Sequence, residues 1–303
     1  MLLTHSSGCC YDATSPDLLK YNQQRDPAWV PNTEKTVVKR FTYPLLFEPG
    51  TSWSYGTSID WAGKVIERVT DKTLEQLVQE GIAKPLGLSS MTFFPYEKPE
   101  LGGKIPGLTM RVPDGNLMLH TEPFMNIDPI DGMGGHGGYS NLEDYLKVQR
   151  SLLANDGKLL KPETVEMMFT PQLTPEAAKG LTEVMKGPVA ALFIGEWKPE
   201  FEVNWGLGGI LLMKDADGRR KKGSLSWGGE SSRQGDSLRA SNRLEDNECA
   251  DPCFAGVANT YWLIDREADL ALTFGTQVLP PGDKVRFYLY PAINVSVLSS
   301  SDY

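Results

Sequence analysis

The sequence predicts an α+β fold, with helices in its first part and antiparallel strands in its last. Three observations carry that reading. Apolar residues recur at helical spacing through roughly residues 37–169, short apolar runs bounded by turn residues fill residues 205–275, and the two patterns scarcely interleave. One domain follows, residues 1–303, with a mostly helical part (1–184) packed on a sheet part (185–303). At 303 residues and 40% hydrophobic content the chain has ample core for it.

Taken in order, residues 1–48 read as loop and short helices, punctuated by Asp26-Pro27, Val30-Pro31 and Tyr43-Pro44, with an amphipathic piece from Val37 to Leu46. Pro49-Gly50 then makes a turn that delivers Tyr55 onto a polar loop. Ile59, Ala62, Val65, Ile66 and Val69 follow at helical spacing, which predicts a buried helix starting just beyond Tyr55. Asp71 and Thr73 offer caps for a second helix through Ile82, closed by Lys84-Pro85-Leu86-Gly87-Leu88. The stretch from Pro95 to Pro113, rich in glycine and proline, reads as loop. Ser140 with Glu143 forms the pattern of a capping box, opening a helix over Leu142–Leu153, and Lys161-Pro162 starts another that runs through Phe169.

The strands are expected over Trp205–Met213, Gly223–Gly229, Val257–Asp265 and Leu270–Gly275, with a turn at Asp215–Gly218. Between them, residues 230–256 are polar and without periodicity, which predicts a disordered insert. Pro291 lies inside the stretch Val285–Ala292, and the tail is rich in serine. No internal repeat is visible.

Composition narrows the function. Thirty-nine acidic residues against 30 basic give a net charge of −9 with no basic stripe, which argues against nucleic acid as a partner. No apolar run is long enough for a bilayer, and Met1-Leu2-Leu3 passes at once into polar residues, so neither a membrane partner nor a secretory leader is expected. A cytoplasmic protein whose first residues lie inside a folded segment is the expectation. Cys9, Cys10, Cys249 and Cys253 lack metal-ligand spacing and read as free thiols; neither a metal nor a cofactor is implied.

Tyr55 has two readings on residues alone. A phenol whose pKa is lowered can relay a proton, and a phenol of ordinary acidity can cap a core through a backbone hydrogen bond. Trp227 is likewise either core or a wall for substrate. Four segments in chain order bear on the choice. They are Leu2-Leu3-Thr4-His5-Ser6-Ser7-Gly8, the stretch Pro49-Gly50-Thr51 to Tyr55 with Ser58, Asp60 and Gly63, the stretch Gly135–Tyr145, and Ser226-Trp227-Gly228-Gly229. Together they resemble the serine β-lactamase-like superfamily, in the branch of class C β-lactamases, family VIII carboxylesterases and fungal polyketide acyltransferases.

The resemblance implies a β-lactamase/transpeptidase-like fold and an acyl-serine mechanism. In it the serine of Ser-x-x-Lys attacks an ester, thioester or lactam, lysine takes its proton, tyrosine completes the relay, and backbone N–H groups hold the oxyanion. Tyr55 would be the relay phenol, and Trp227, Gly228 and Gly229 the substrate-side strand. Trp227 stands where β-lactamases carry lysine, which favours hydrophobic acyl esters or thioesters over carboxylate-bearing lactams. The partner implied is a small-molecule acyl substrate, its donor free or bound to an acyl carrier.

The chain departs from the family pattern at three landmarks. No serine has a lysine three residues later, so the nucleophile would precede Met1, together with the family's first strands, and a sheet edge would be exposed. The insert leaves Glu230, an anion, where an oxyanion-holding N–H is implied, with Val257 displaced beyond it. Pro291 interrupts the closing helix. These breaks read as a decayed or imperfectly predicted gene product. The expectation is an acyltransferase or carboxylesterase of hydrophobic small molecules, in the manner of fungal polyketide biosynthesis, by family descent, with this chain itself inactive. The alternative is an inactive remnant or acyl-binding module, and a penicillin-recognising hydrolase stands third. No Gly-x-Ser-x-Gly elbow is present, and His5 and His136 read as structural.

Overall fold

Helix α3 (Ser58–Thr70) is the strut on which the helical part is assembled. The computed structural model describes residues 1–12, 15–25, 34–102, 104–121, 128–187, 201–216, 220–228 and 260–279. The insert 230–256, Gly229, Val257, Cys249, Cys253, the 285–292 stretch and the serine tail lie outside the described residues. So do Asp26 and Pro27, Val30 and Pro31, and the Asp217-Gly218 half of the predicted turn, although a bridge between Ala216 and Arg220 closes that turn.

α1 (Pro16–Arg25) and α2 (Val37–Phe41) precede α3. Asp12 ties them together: it accepts from Asn22 of α1 (2.8 Å) and from Arg40 of α2 (3.1 Å), all three fully buried. α3 itself corrects the sequence reading. Val65, Ile66 and Val69, expected to be buried, are exposed, and the buried positions are Ser58, Asp60 and Gly63. The period is right and the buried face is the other one. The small and polar side lets neighbours approach closely: a methyl on Gly63 would sit 3.1 Å from Leu74, and Ser58 hydrogen-bonds Ser7 at 2.8 Å. The helix ends where Asp71 turns left-handed at φ 55°.

α4 (Leu74–Val78) opens with a capping box between Thr73 and Gln76 and passes through a wide turn at Gln79–Ala83 into α5 (Lys84–Leu86), which Gly87 terminates. The Pro95–Pro113 stretch is not all loop: α6 (Pro99–Gly102) and β1 (Thr109–Arg111) form there. β2 (Leu117–Leu119) pairs antiparallel with β1. The cap of α7 (Leu142–Ala154) is Asn141, one residue later than expected, its side chain accepting from the Asp144 N–H at 2.7 Å. α8 (Pro162–Met168) follows as the sequence predicts, and α9 (Pro175–Lys186) is a helix the periodicity reading did not single out.

The main sheet has the order β3-β4-β5-β6-β7 and is antiparallel throughout. The run Trp205–Met213 is not one strand but a hairpin, β3 (Val203–Trp205) and β4 (Ile210–Leu212). Its glycines explain the difference: Gly208 sits at φ 104°, a conformation that strands do not use, and Gly206 N–H closes the loop onto Gly209 at 2.9 Å. β5 (Leu225–Gly228), β6 (Tyr261–Asp265) and β7 (Leu270–Phe274) complete it, and α7 packs on β6 and β7 while α9 packs on β3. β8 (Val278–Leu279) runs back to pair in parallel with β1, joining the two parts of the chain. Among the described residues no helix is long and apolar enough to cross a membrane.

Replacing Asp12 by Ala leaves the Arg40 guanidinium buried without its carboxylate, at a cost of about 3–5 kcal/mol. Urea denaturation of the two proteins measures it; a midpoint unchanged by the substitution would show that the pair does not hold α1 and α2 together.

Candidate active site

The tyrosine loop is held from below by the first residues of the chain. Gly50 N–H donates to the Ser6 carbonyl (2.7 Å) and Ser54 N–H to the His5 carbonyl (3.1 Å). Gly56 lies so close to the same segment that a Cβ there would meet the Cys9 carbonyl oxygen at 2.3 Å. Two of the four sequence segments are thus one structural unit. Tyr55 leaves this unit with its ring 4.7 Å from His5, 5.6 Å from Tyr11 and 5.1 Å from Trp227.

β5 supplies the opposite wall. Every residue from Leu225 to Gly228 is buried, with Trp227 opposite Trp262 and Gly228 opposite Tyr261 on β6. A Cβ on Gly228 would come within 2.4 Å of the Thr260 carbonyl oxygen, so only glycine permits this register. The Trp227 indole, a donor only, acts on the Tyr55 phenol so as to favour its charged form. Behind them Trp53, Trp205, Leu181 and Met185 form a core into which Trp227 packs.

Tyr55, Trp227 and Gly228 line one cavity of about 380 Å³, closed on its other sides by the glycine loop 134–138, the first turn of α7 and residues of β6 and β7. The cavity walls include His136, Leu142, Tyr145 and Trp262, none of which was singled out as a site residue from the sequence. The Gly135–Tyr145 segment therefore contributes a wall. Its acid, Asp144, does not face the chemistry. Burial pushes its carboxyl up, but hydrogen bonds from Ser90 and the Lys147 ammonium outweigh this and hold it at about 2. It accepts from Ser89 and Ser90 N–H at 2.9 Å each, fastening the strand-like crossing to α7.

The electrostatics of this wall are set mainly by burial. Burial pushes the Tyr55 phenol up to about 12, and the Asp60 charge adds to this; the Trp227 hydrogen bond opposes it without prevailing. The described residues therefore keep Tyr55 a proton donor near neutrality. His5 is buried among aromatic rings and is pushed down to about 3, in keeping with a structural role. Asp60, fully buried, rises to about 7 despite the Gly135 N–H it accepts at 2.9 Å. His136 falls to about 4, from burial first and then the Arg40 charge. The signal for His136 was in the sequence, as a polar ring set in a run of four glycines, but its partner was 76 residues away in the chain.

Comparison with known proteins agrees with this geometry. A family model described as beta-lactamase matches residues 1–235. The lovastatin esterase of Penicillium rubens is 41% identical over 233 residues, 76% of this chain and 58% of the esterase. Monacolin J acid methylbutanoyltransferase of Aspergillus terreus is 38% identical over 232 residues, 75% of this chain and 55% of the transferase. Among solved structures, a variant of simvastatin synthase from Aspergillus terreus superposes with a TM-score of 0.77 at 34% identity, covering 95% of this chain and 64% of its own. The chain spans less than two thirds of the length of each of these proteins.

His5 sets a pH dependence. Between its free value of 6.5 and about 3, the unfolded chain binds a proton on His5 that the folded chain refuses. Stability therefore rises with pH across that window and is complete above it. His5→Phe is expected to reduce the slope of unfolding free energy between pH 4 and 6 by up to about 1.4 kcal/mol per pH unit. The slope is the readout; if it is unchanged, the folded protein carries His5 as imidazolium.

Proposed function

The chain belongs to the beta-lactamase family and has its α+β, β-lactamase/transpeptidase-like fold, and on that footing we propose that its cavity is the acyl site of a small-molecule acyltransferase or carboxylesterase. The single observation that carries this is that Tyr55 and Trp227, their rings 5.1 Å apart, line one cavity floored by Gly228. A phenol that keeps its proton near neutral pH is suited to hand it to a departing alkoxide or thiolate, and an indole beside it gives the acyl chain apolar area. The names of the relatives, an esterase of lovastatin and a methylbutanoyltransferase of monacolin J acid, point the same way, toward acyl esters of small molecules.

Trp227 cannot offer a cation to a substrate carboxylate, so neutral acyl esters and thioesters are the substrates, with the acyl donor free or delivered on a carrier. The acyl-accepting hydroxyl of the mechanism, a serine followed three residues later by lysine, is not encoded in these 303 residues. That observation favours a second reading for the chain by itself: an acyl-binding module that does not turn over.

Two measurements separate the readings. Butyl butyrate is expected to quench tryptophan fluorescence saturably, and Trp227→Ala to weaken its binding by roughly ten-fold or more. With 4-nitrophenyl butyrate, or a butyryl thioester and an alcohol, this chain is expected to show no sustained release. Sustained turnover that Tyr55→Phe abolishes would defeat the module reading and locate an unrecognised nucleophile in the chain. Absence of saturable binding would defeat the acyl site altogether.

A further inference from the structure

One polar group in the cavity wall has no part in the chemistry above. His136 lines the cavity with a fifth of its side chain exposed, while its Nδ1 is sealed away from solvent and has no hydrogen-bond partner among the described residues. The Asp60 carboxylate, completely buried, has its Oδ1 3.7 Å from that nitrogen. Asp60 is aimed at the glycine loop twice over. Its Oδ1 accepts from Gly135, the residue before His136, and its Oδ2 is buried without a partner at the point a Gly135 Cβ would occupy, 2.4 Å away. Gly135 is thus the residue that lets the carboxylate reach the ring. The Phe41 ring, 5.7 Å away at 86°, holds the imidazole edge-on.

We propose that His136 is the hydrogen-bonding anchor for the hydroxyl of a small hydrophobic alcohol, the acyl acceptor, and that Asp60 is the positioning residue that fixes which ring nitrogen faces it. The inference rests on the acyl-site reading above. Its chemistry is that of a neutral imidazole, which donates from one nitrogen and accepts at the other. With Asp60 ionised, Nδ1–H turns to the carboxylate and Nε2 accepts the alcohol's proton as a hydrogen bond. A shortening of about half an ångström brings Nδ1 and Oδ1 into hydrogen-bond range, and contacts of this kind commonly tighten when a ligand fills the site. With Asp60 protonated, its O–H donates to Nδ1 and the cavity-side nitrogen becomes a donor. A hydroxyl satisfies either state. An ether satisfies only the second, and a carboxylate meets the buried Asp60 charge in the first.

The charged and titratable groups facing this pair are Tyr11 from the N-terminal segment, Arg40 from α2, Tyr43 just after it and Tyr55 from the loop. Burial raises all three phenols and brings the Asp60 carboxyl up to about 7, so Asp60 is the one of these acids that changes state near neutrality.

The test uses three ligands of matched apolar area, 2-naphthylmethanol, its methyl ether and 2-naphthoate, bound to the chain and followed by tryptophan fluorescence at pH 6 and 8.5. The alcohol is expected to bind about five-fold more tightly than the ether at pH 8.5, the worth of one neutral hydrogen bond, and the difference to shrink at pH 6. His136→Leu erases the preference and His136→Gln, which keeps an acceptor, restores it without the pH dependence. Asp60→Asn removes the pH dependence. Nitrogen NMR of histidine-labelled protein at pH 8.5 is expected to show His136 protonated on Nδ1, and this reading decides should His136→Leu fail to fold. Equal binding of alcohol and ether at pH 8.5, survival of the preference in His136→Leu, or a proton on Nε2 overturns the inference while leaving the acyl site intact. Failure of all three ligands to bind overturns both.

Discussion

The contact on which this architecture turns is aromatic and joins its two parts. Trp53 and Tyr55 come from the loop ahead of α3, Trp205 and Trp227 from neighbouring regions of the sheet. Trp53 and Trp205 lie 5.1 Å apart, as do Tyr55 and Trp227. Each ring removes on the order of 150–250 Å² from water, about 4–6 kcal/mol apiece before the entropy of ordering is counted. That is large against the stability of a whole domain. It also has direction: rings that pack against one another tilted by 44° set Tyr55 against the indole of Trp227, and so place a proton donor against the glycine floor of the cavity.

The polar residues buried near that wall are the counterpart of this contact. α3 turns its apolar side chains to solvent and buries Ser58 and Asp60, a choice that costs desolvation and is offset by the bonds those groups make to Ser7 and Gly135. Asp12 and Arg40 repeat the pattern one layer out. The helical part is therefore organised less by an oily interior than by a chain of buried polar groups whose hydrogen bonds fix where its loops run. The glycine loop 134–138 hangs from that chain through Asp60, which is why a histidine there has a defined backing rather than a free swing.

Much of this was legible in the sequence. The cap at Thr73, the helix start at Pro162, the turn at Pro49-Gly50 and the strands β5, β6 and β7 follow from local chemistry, because each depends on residues within a few positions of one another. Tyr55, Trp227 and Gly228 were named before any fold was in hand, and they share one cavity. Other expectations failed for stated reasons. Periodicity marks an amphipathic helix but not which face meets the core, so α3 was turned the wrong way round. A run of apolar residues read as one strand is a hairpin because glycines at 206, 208 and 209 let the chain reverse.

What the residues determined alone was the α+β order of elements, the loop that carries Tyr55 and the glycine that lets β5 and β6 approach. Those depend on backbone conformations and side-chain volumes that belong to single positions. Only the tertiary structure decided the rest: that the first eight residues support the tyrosine loop, that burial raises rather than lowers the pKa of its phenol, and that Asp60 meets His136. Proton affinity is set by what surrounds a group, and the surroundings of these three come from segments that lie far apart along the chain.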